Sequence, residues 1–347
     1  MSERTPPPAR GGASDGAVTD VAGVRVGHAQ RVGDGWLTGV TVVLPPPGTV
    51  GGVDVRGGGP GTHETDALDP RTLVPTVDAV VLTGGSAFGL VSAYGAQRWC
   101  AGQGRGFPVS PVPGQVVPIV PAAAVFDLGR GGDFGTHPTQ EMGYEAAAAA
   151  HASGDGAPVA RGCVGAGTGA AVAGATYKGG VGTASVRLDE GPAAGTVVGA
   201  LVVVNAAGAP TRLGAPAVPP GGPLDAAGAR VVPGGERSAT GAPLHTTLVV
   251  VATDAALDPA ETSRTATAAH DGLARALDPV HTLADGDTVF ALATQAVALP
   301  GARRERVAAL VALQATAARV VESAVVDAVR SATRTTTAAY DLPAWTG

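Results

Sequence analysis

Apolar residues in this chain come in short unbroken runs separated by Gly- and Pro-rich punctuation. Residues 38–44 (TGVTVVL) read as a buried strand, stopped by Pro45, Pro46 and Pro47. Residues 79–82 (AVVL) form a second run. Thr83-Gly84-Gly85-Ser86 then turns the chain into a helix expected over 86–103, with Ser86 as its N-cap. Residues 197–205 (VVGALVVVN), 246–253 (TTLVVVAT) and 289–294 (VFALAT) read as three more strands. Residues 18–28 read as a short strand and turn, and 118–126 as an extended stretch. One helix is expected over 139–153, with Thr139 as cap. Another is expected over 259–277, where Asp258 caps, Pro259 takes the first position and Glu261 completes a capping box. A long Ala/Val/Leu helix fills 302–331. The order is strands, helices, more strands, then helices. It lacks regular βαβ alternation and any internal repeat, which predicts an α+β fold with helices packed on sheets.

Residues 206–245 stand apart because they show almost no periodicity. Loops of that length within a compact domain are uncommon and usually functional or disordered. This one ends abruptly at the strand that begins Thr246-Thr247.

Aromatic residues are 3% of the chain, so the core has to be built from Val, Leu and Ala. A net charge of −6 with no basic block argues against a nucleic-acid partner. Cys100 and Cys163 lack metal-ligand spacing and do not make a disulfide framework, which fits a reducing compartment. Residues 1–17 are expected to form a disordered tail without the apolar stretch of a secretory signal. No apolar run approaches the roughly 18 residues of a membrane span. The expectation is a cytoplasmic protein with no membrane partner.

The chain has 22 arginines but one lysine, Lys178, and one asparagine, Asn205. A GC-rich coding bias tends to replace Lys and Asn wherever Arg, Asp, Ser or Gly serve. The survivors are candidates for chemistry that those substitutes cannot perform. Burial can tune a lysine, whereas arginine stays charged. An asparagine amide can donate to an oxyanion without adding a full charge.

A threonine hydroxyl is a poor nucleophile until a base removes its proton. An N-terminal threonine carries that base itself, an α-amine of pKa about 8. Such a site needs a threonine at the start of a strand, a cleavable segment before it, an oxyanion donor and a group that orients the amine. Thr246, preceded by 206–245, meets the first two needs, with cleavage expected between His245 and Thr246. Other motifs are weaker. Gly165-Ala166-Gly167-Thr168-Gly169 lacks the Gly-Lys-Ser/Thr ending of a phosphate loop. His63 with Glu64 and Asp66, and His270 with Asp271, lack HExxH-like spacing. Asp285-Gly286-Asp287 lacks the further ligands of a calcium loop. Ser86 fails the serine-hydrolase elbow at position 88. Neither metal nor cofactor is expected.

Several blocks together resemble the L-aminopeptidase/D-esterase family, which includes the β-peptidyl aminopeptidases. They are DVAGVRVGHAQ at 20–30, VVLTGGSAFGL at 80–90, GAGTGAAVAGATYKGGVGTAS at 165–185 and VVGALVVVNAAG from 197. HTTLVVVATDAALDP from 245 and AHDGLARALDPVHTLADGDTVFALAT ending at 294 complete the set. The resemblance runs over about 18–333. With Thr at the junction, the chain is most similar to the branch that includes nylon-oligomer (6-aminohexanoate-oligomer) hydrolases. The resemblance implies one four-layer αββα domain of the N-terminal-nucleophile type. It implies self-cleavage into an α chain, 18–245, with 206–245 as a flexible linker, and a β chain, 246–347. It implies Thr246 as nucleophile, Lys178 beside it, Asn205 as oxyanion donor, and Asp285 and Asp287 near the threonine amine. It also implies a tetramer of αβ units acting on small peptides, aminoacyl amides or linear ω-amino-acid oligomers. Two positions depart from the pattern. His245 stands where the nylon-hydrolase branch has Asn, and Phe126 stands where some members carry a tyrosine. Two alternatives remain at this point: an acyltransferase of the ornithine-acetyltransferase type, and an unprocessed small-molecule-binding scaffold.

Overall fold

Strands that are apolar at every position need cover on both faces. The computed structural model, which describes residues 16–224 and 245–346, provides it in four layers. The main strands are β1 (Arg25–Gly33), β2 (Trp36–Leu44), β3 (Val50–Val55), β4 (Thr62–His63), β5 (Val80–Thr83) and β6 (Ala122–Ala124). They continue with β7 (Gly180–Arg187), β8 (Val197–Asn205), β9 (Thr246–Ala255) and β10 (Thr288–Val297). One sheet runs β1-β2-β5-β6-β4 and the other β7-β8-β9-β10-β3. Helices α1 (Ser92–Gly102) and α2 (Gln140–Ser153) cover the first sheet. Helices α3 (Pro259–Ala276) and α4 (Arg303–Ser331) cover the second.

The period of two along each strand sorts its side chains between layers. In β9, Leu248, Val250 and Ala252 join Val43, Leu82 and Val125 between the sheets. Val249 and Val251 point the other way and pack with Leu273, Leu313 and Val321 of α3 and α4. On the outer side of the first sheet, Val40, Val42 and Val81 meet Trp99, Met142 and Ala146. The expected α+β architecture with helices on sheets is therefore the observed one.

Small residues set the distance between layers. A Cβ on Gly95 would overlap Gln140 O, and one on Gly143 would overlap Ser92 O, so α1 and α2 touch through paired glycines.

Asp258 accepts from Glu261 N, and Glu261 closes the capping box with Pro259 in the first turn. Thr139 caps α2 by accepting from Met142 N. The helix expected from Ser86 is split into Ser86–Gly89 and α1, and Ser86 is not a cap. Its neighbour Gly85 donates to Asp127 Oδ1 at 2.6 Å, and Ser86 N donates to Val125 O at 2.9 Å. Those ties draw both residues to positive φ, +76° and +51°. Residues 18–20 form a short 3-10 helix, and the strand starts at Arg25. Within the linker, Ala209–Pro210 pairs with Leu277–Asp278, and Gly222–Pro223 pairs with Tyr340–Asp341. The rest of the expected linker, 225–244, and most of the expected tail, 1–15, lie outside the described residues. Helix α4 is long and apolar enough to cross a membrane by length and composition. Its buried face lies on the second sheet, the position of a core helix.

Substituting Gly143→Ala should lower unfolding free energy by about 2 kcal/mol, because the new methyl has to push α1 from α2. Urea denaturation of the variant beside the parent measures this. An unchanged midpoint would show that the helices are free to separate.

Candidate active site

Strand direction gathers the predicted residues. Strands β9 and β10 are parallel, with Leu248 opposite Thr288, so their N-terminal ends coincide. Strand β8 is antiparallel to β9, which brings its last residue to the same end and sets Asn205 directly opposite Thr246. Both residues lie on the inter-sheet face, two positions along from Val203 and Leu248. Strand β3 is antiparallel to β10, so the backbone after Val55 also arrives there. Thr246, Asn205, Asp285 and Asp287 are thereby brought together, and all four are buried.

The backbone around Thr246 is tightly tied. His245 N donates to Ala284 O at 3.2 Å, and Gly286 N donates to His245 O at 2.9 Å. Thr246 Oγ1 donates to that same carbonyl oxygen at 2.5 Å. The hydroxyl thus lies against the peptide bond that precedes it. Gly286 is required for this approach, since a Cβ there would sit 2.6 Å from Thr246 Oγ1.

The two aspartates act on the backbone. Asp287 Oδ1 accepts from Thr247 N at 2.6 Å. Its Oδ2 accepts from His281 N at 3.0 Å and from His281 Nδ1 at 2.8 Å. Asp285 Oδ2 accepts from Thr282 N at 2.7 Å. Burial raises the Asp285 carboxyl above its usual range, and the Asp287 charge raises it further.

Asn205 Oδ1 accepts from Arg130 at 2.6 Å and from Ala171 N at 3.1 Å, while Nδ2 has no partner. A buried amide nitrogen without an acceptor is uncommon in folded proteins. It matches the need for a donor held ready for an oxyanion.

Lys178, the side chain expected beside the nucleophile, is held by backbone carbonyls. It is fully buried, and Nζ donates at 2.8 Å to each of Gly167 O, Ala170 O and Gly179 O. None of these acceptors belongs to Thr246. Burial lowers the ammonium to about 8. Three carbonyl acceptors match the three N–H groups of the charged form. Lys178 reaches the site through its loop, because Ala170 is followed by Ala171, whose N–H holds Asn205.

Arg130, His281 and Gly286 were not singled out from sequence. Arginine is abundant here and so carries no compositional signal. His281 lay within the matched block without a motif of its own, and Gly286 was visible only as the spacer of Asp-Gly-Asp. Among the described residues, no cluster of His, Cys, Asp and Glu could hold a metal ion.

The two-sheet sandwich and this strand end define the class first. The chain superposes on an L-aminopeptidase D-Ala-esterase/amidase from Ochrobactrum anthropi, described as a variant of the Ntn hydrolase fold. The TM-score is 0.68 at 23% identity, with 97% of this chain and 93% of that one covered. A Burkholderia sp. β-aminopeptidase gives TM-score 0.67 and 29% identity, covering 94% and 90%. Among sequence relatives, an uncharacterised aminopeptidase of Mycobacterium tuberculosis is 48% identical over 303 residues, 82% of this chain and 83% of that protein. One from Mycobacterium leprae is 46% identical over 296 residues, 81% and 79%. The model of peptidase family S58 matches residues 16–341. The chain belongs to that family and has the Ntn hydrolase fold. It is a hydrolase of peptide bonds.

Lys178→Met should cost about 2 kcal/mol or more of stability, since three buried carbonyls lose their donor. Lys178→Arg should not restore it, because a planar guanidinium does not fit a fully enclosed ammonium site. Urea unfolding of both variants tests this. Parent-like stability in either would show that the three bonds are dispensable.

Proposed function

We propose that this chain is a self-processing N-terminal threonine amidohydrolase. One observation carries the reading: Thr246 Oγ1 lies against the carbonyl of His245 while Gly286 N–H binds the same oxygen. In the precursor, Oγ1 adds to the His245 carbonyl carbon, and negative charge collects on the oxygen that Gly286 already holds. Collapse expels the Thr246 nitrogen, which takes up the proton lost from the hydroxyl, and leaves an ester on Oγ1. Water cleaves the ester, giving one chain ending at His245 and another beginning with Thr246 as a free amine.

The mature site then works on substrate. The new amine takes the hydroxyl proton, and Oγ1 attacks the substrate amide carbonyl. Asn205 Nδ2 donates to the oxyanion, a contact typically worth roughly 3–4 kcal/mol of barrier. The ammonium protonates the departing amine, and a water molecule releases the acyl group from Thr246. Asp285 and Asp287 hold the ammonium in place. The substrate class is small peptides, aminoacyl amides and linear ω-amino-acid oligomers. The same reading extends to a cytoplasmic tetramer of αβ units.

N-terminal sequencing of the purified protein should find a second chain beginning Thr-Thr-Leu. Thr246→Ala should stay at the full 33.7 kDa. Normal processing of that variant would falsify the nucleophile assignment. In the mature protein, Asn205→Ala should lower kcat about 100-fold with KM little changed.

The uncleaved chain also carries a pH signature. Burial, and then the charge of Arg130, lowers His245 to about 4, against an opposing pull from Asp287. Between about pH 6.5 and 4 the unfolded chain therefore binds more protons than the folded chain, and stability falls as pH drops through that window. Adding His245→Gln to Thr246→Ala should make the loss of Tm between pH 7 and 5 shallower. Superimposable Tm curves would show that this imidazole is not held neutral.

A further inference from the structure

The amide of Asn205 is held by its oxygen alone. Oδ1 faces two groups that can only donate, the Arg130 guanidinium at 2.6 Å and Ala171 N–H at 3.1 Å. That pairing fixes the flip of the amide and leaves Nδ2 pointing away from both, without a partner. Arg130 comes from the loop after β6 and reaches across to the second sheet. The same NH1 that holds Asn205 donates to Gly169 O at 2.6 Å, and Arg130 O accepts from Thr337 Oγ1 at 2.7 Å. The side chain is buried, which lowers its guanidinium below the usual range, and the nearby carboxyl of Asp127, also buried, opposes that shift.

We propose that Arg130 is the positioning residue of the oxyanion donor, holding Asn205 Oδ1 so that Nδ2 alone can face the reacting carbonyl. This rests on the reading of Asn205 as that donor. A neutral donor at Arg130 could fix the flip. A cation also draws electron density from the amide oxygen and makes its N–H a stronger donor. Aspartate at 205 would satisfy Arg130 equally well but would bring no N–H, so the pair demands an amide.

The sequence supplies the probe. Asn205 is the sole asparagine, so protein labelled with ¹⁵N only at the asparagine amide gives one side-chain NH₂ pair in a proton–nitrogen correlation spectrum. The full chain is compared with Arg130→Met and Arg130→Lys. Arg130→Met should displace the pair, and Arg130→Lys, which keeps a buried cationic donor, should return it towards the parent position. With L-alanine p-nitroanilide as substrate, Arg130→Met should lower kcat at least about tenfold and leave KM within about twofold. The same change made in Asn205→Ala should cause no further loss. Arg130→Lys should recover most of the rate.

An unmoved NH₂ pair in Arg130→Met overturns the proposal. So does a loss that multiplies with that of Asn205→Ala, which would mean that Arg130 acts on the oxyanion directly. The spectrum needs no turnover, so it judges the hold on Asn205 by itself. Failure of the underlying reading shows separately, as parent-like turnover of the anilide by Asn205→Ala.

Discussion

The parallel pairing of β9 with β10 is the constraint on which the rest depends. It places the first residue of one strand beside the turn that opens the other, so Thr246 and Asp285-Gly286-Asp287 share one end of the sheet. Antiparallel β8 then has to finish there, and its final residue becomes the cross-strand partner of Thr246. Both faces of this sheet are buried, so a slip of one residue would exchange the two apolar sets and turn Thr246 away from the facing sheet. The register that assembles the core also places the hydroxyl.

Most of the fixing around Thr246 is done by backbone. Gly286 N–H holds the His245 carbonyl, Ala284 O holds the His245 amide, and Asp287 holds the amide of Thr247. Glycine lets these chains approach. A Cβ on Gly286 would press on the Thr246 hydroxyl, and one on Gly58 would lie 2.6 Å from Leu283 O. Lys178 ties the segment that carries Ala171. Its single ammonium gathers carbonyls from both sides of the turn that carries Ala171. The loop that presents an N–H to Asn205 is thus itself tied to a buried cation.

The three central strands of the second sheet, β8, β9 and β10, were legible because their apolar runs are long and their ends abrupt, whereas the edge strands β7 and β3, interrupted by glycines, were not. Asp258 and Thr139 were legible as caps because the capping residue and its partner are close in sequence. Thr246 was legible as the junction between an aperiodic segment and a strand. Asn205 and Lys178 stood out as singletons, and the family resemblance supplied Asp285 and Asp287. What stayed hidden depends on distant pairing. Arg130 is 75 positions from Asn205 and is one of many arginines. Ser86 looks like an N-cap until the tie of Gly85 to Asp127 is known. Residues 206–224 lack periodicity because they lie along other segments as isolated two-residue pairs.

The two singletons persist for different physical reasons. Lys178 fills a closed site whose three carbonyls suit a compact ammonium. A planar fork with five donors would leave N–H groups unmatched there. Asn205 accepts through Oδ1, and in the proposed role it also donates through Nδ2 in the opposite direction. Aspartate accepts only, serine is too short to span both directions, and arginine only donates. Each site therefore rejects the residues that coding bias favours. For Lys178 the demand is local geometry. For Asn205 it comes from Arg130, in the loop that follows a strand of the other sheet, so the hold on this amide depends on how the two sheets face each other.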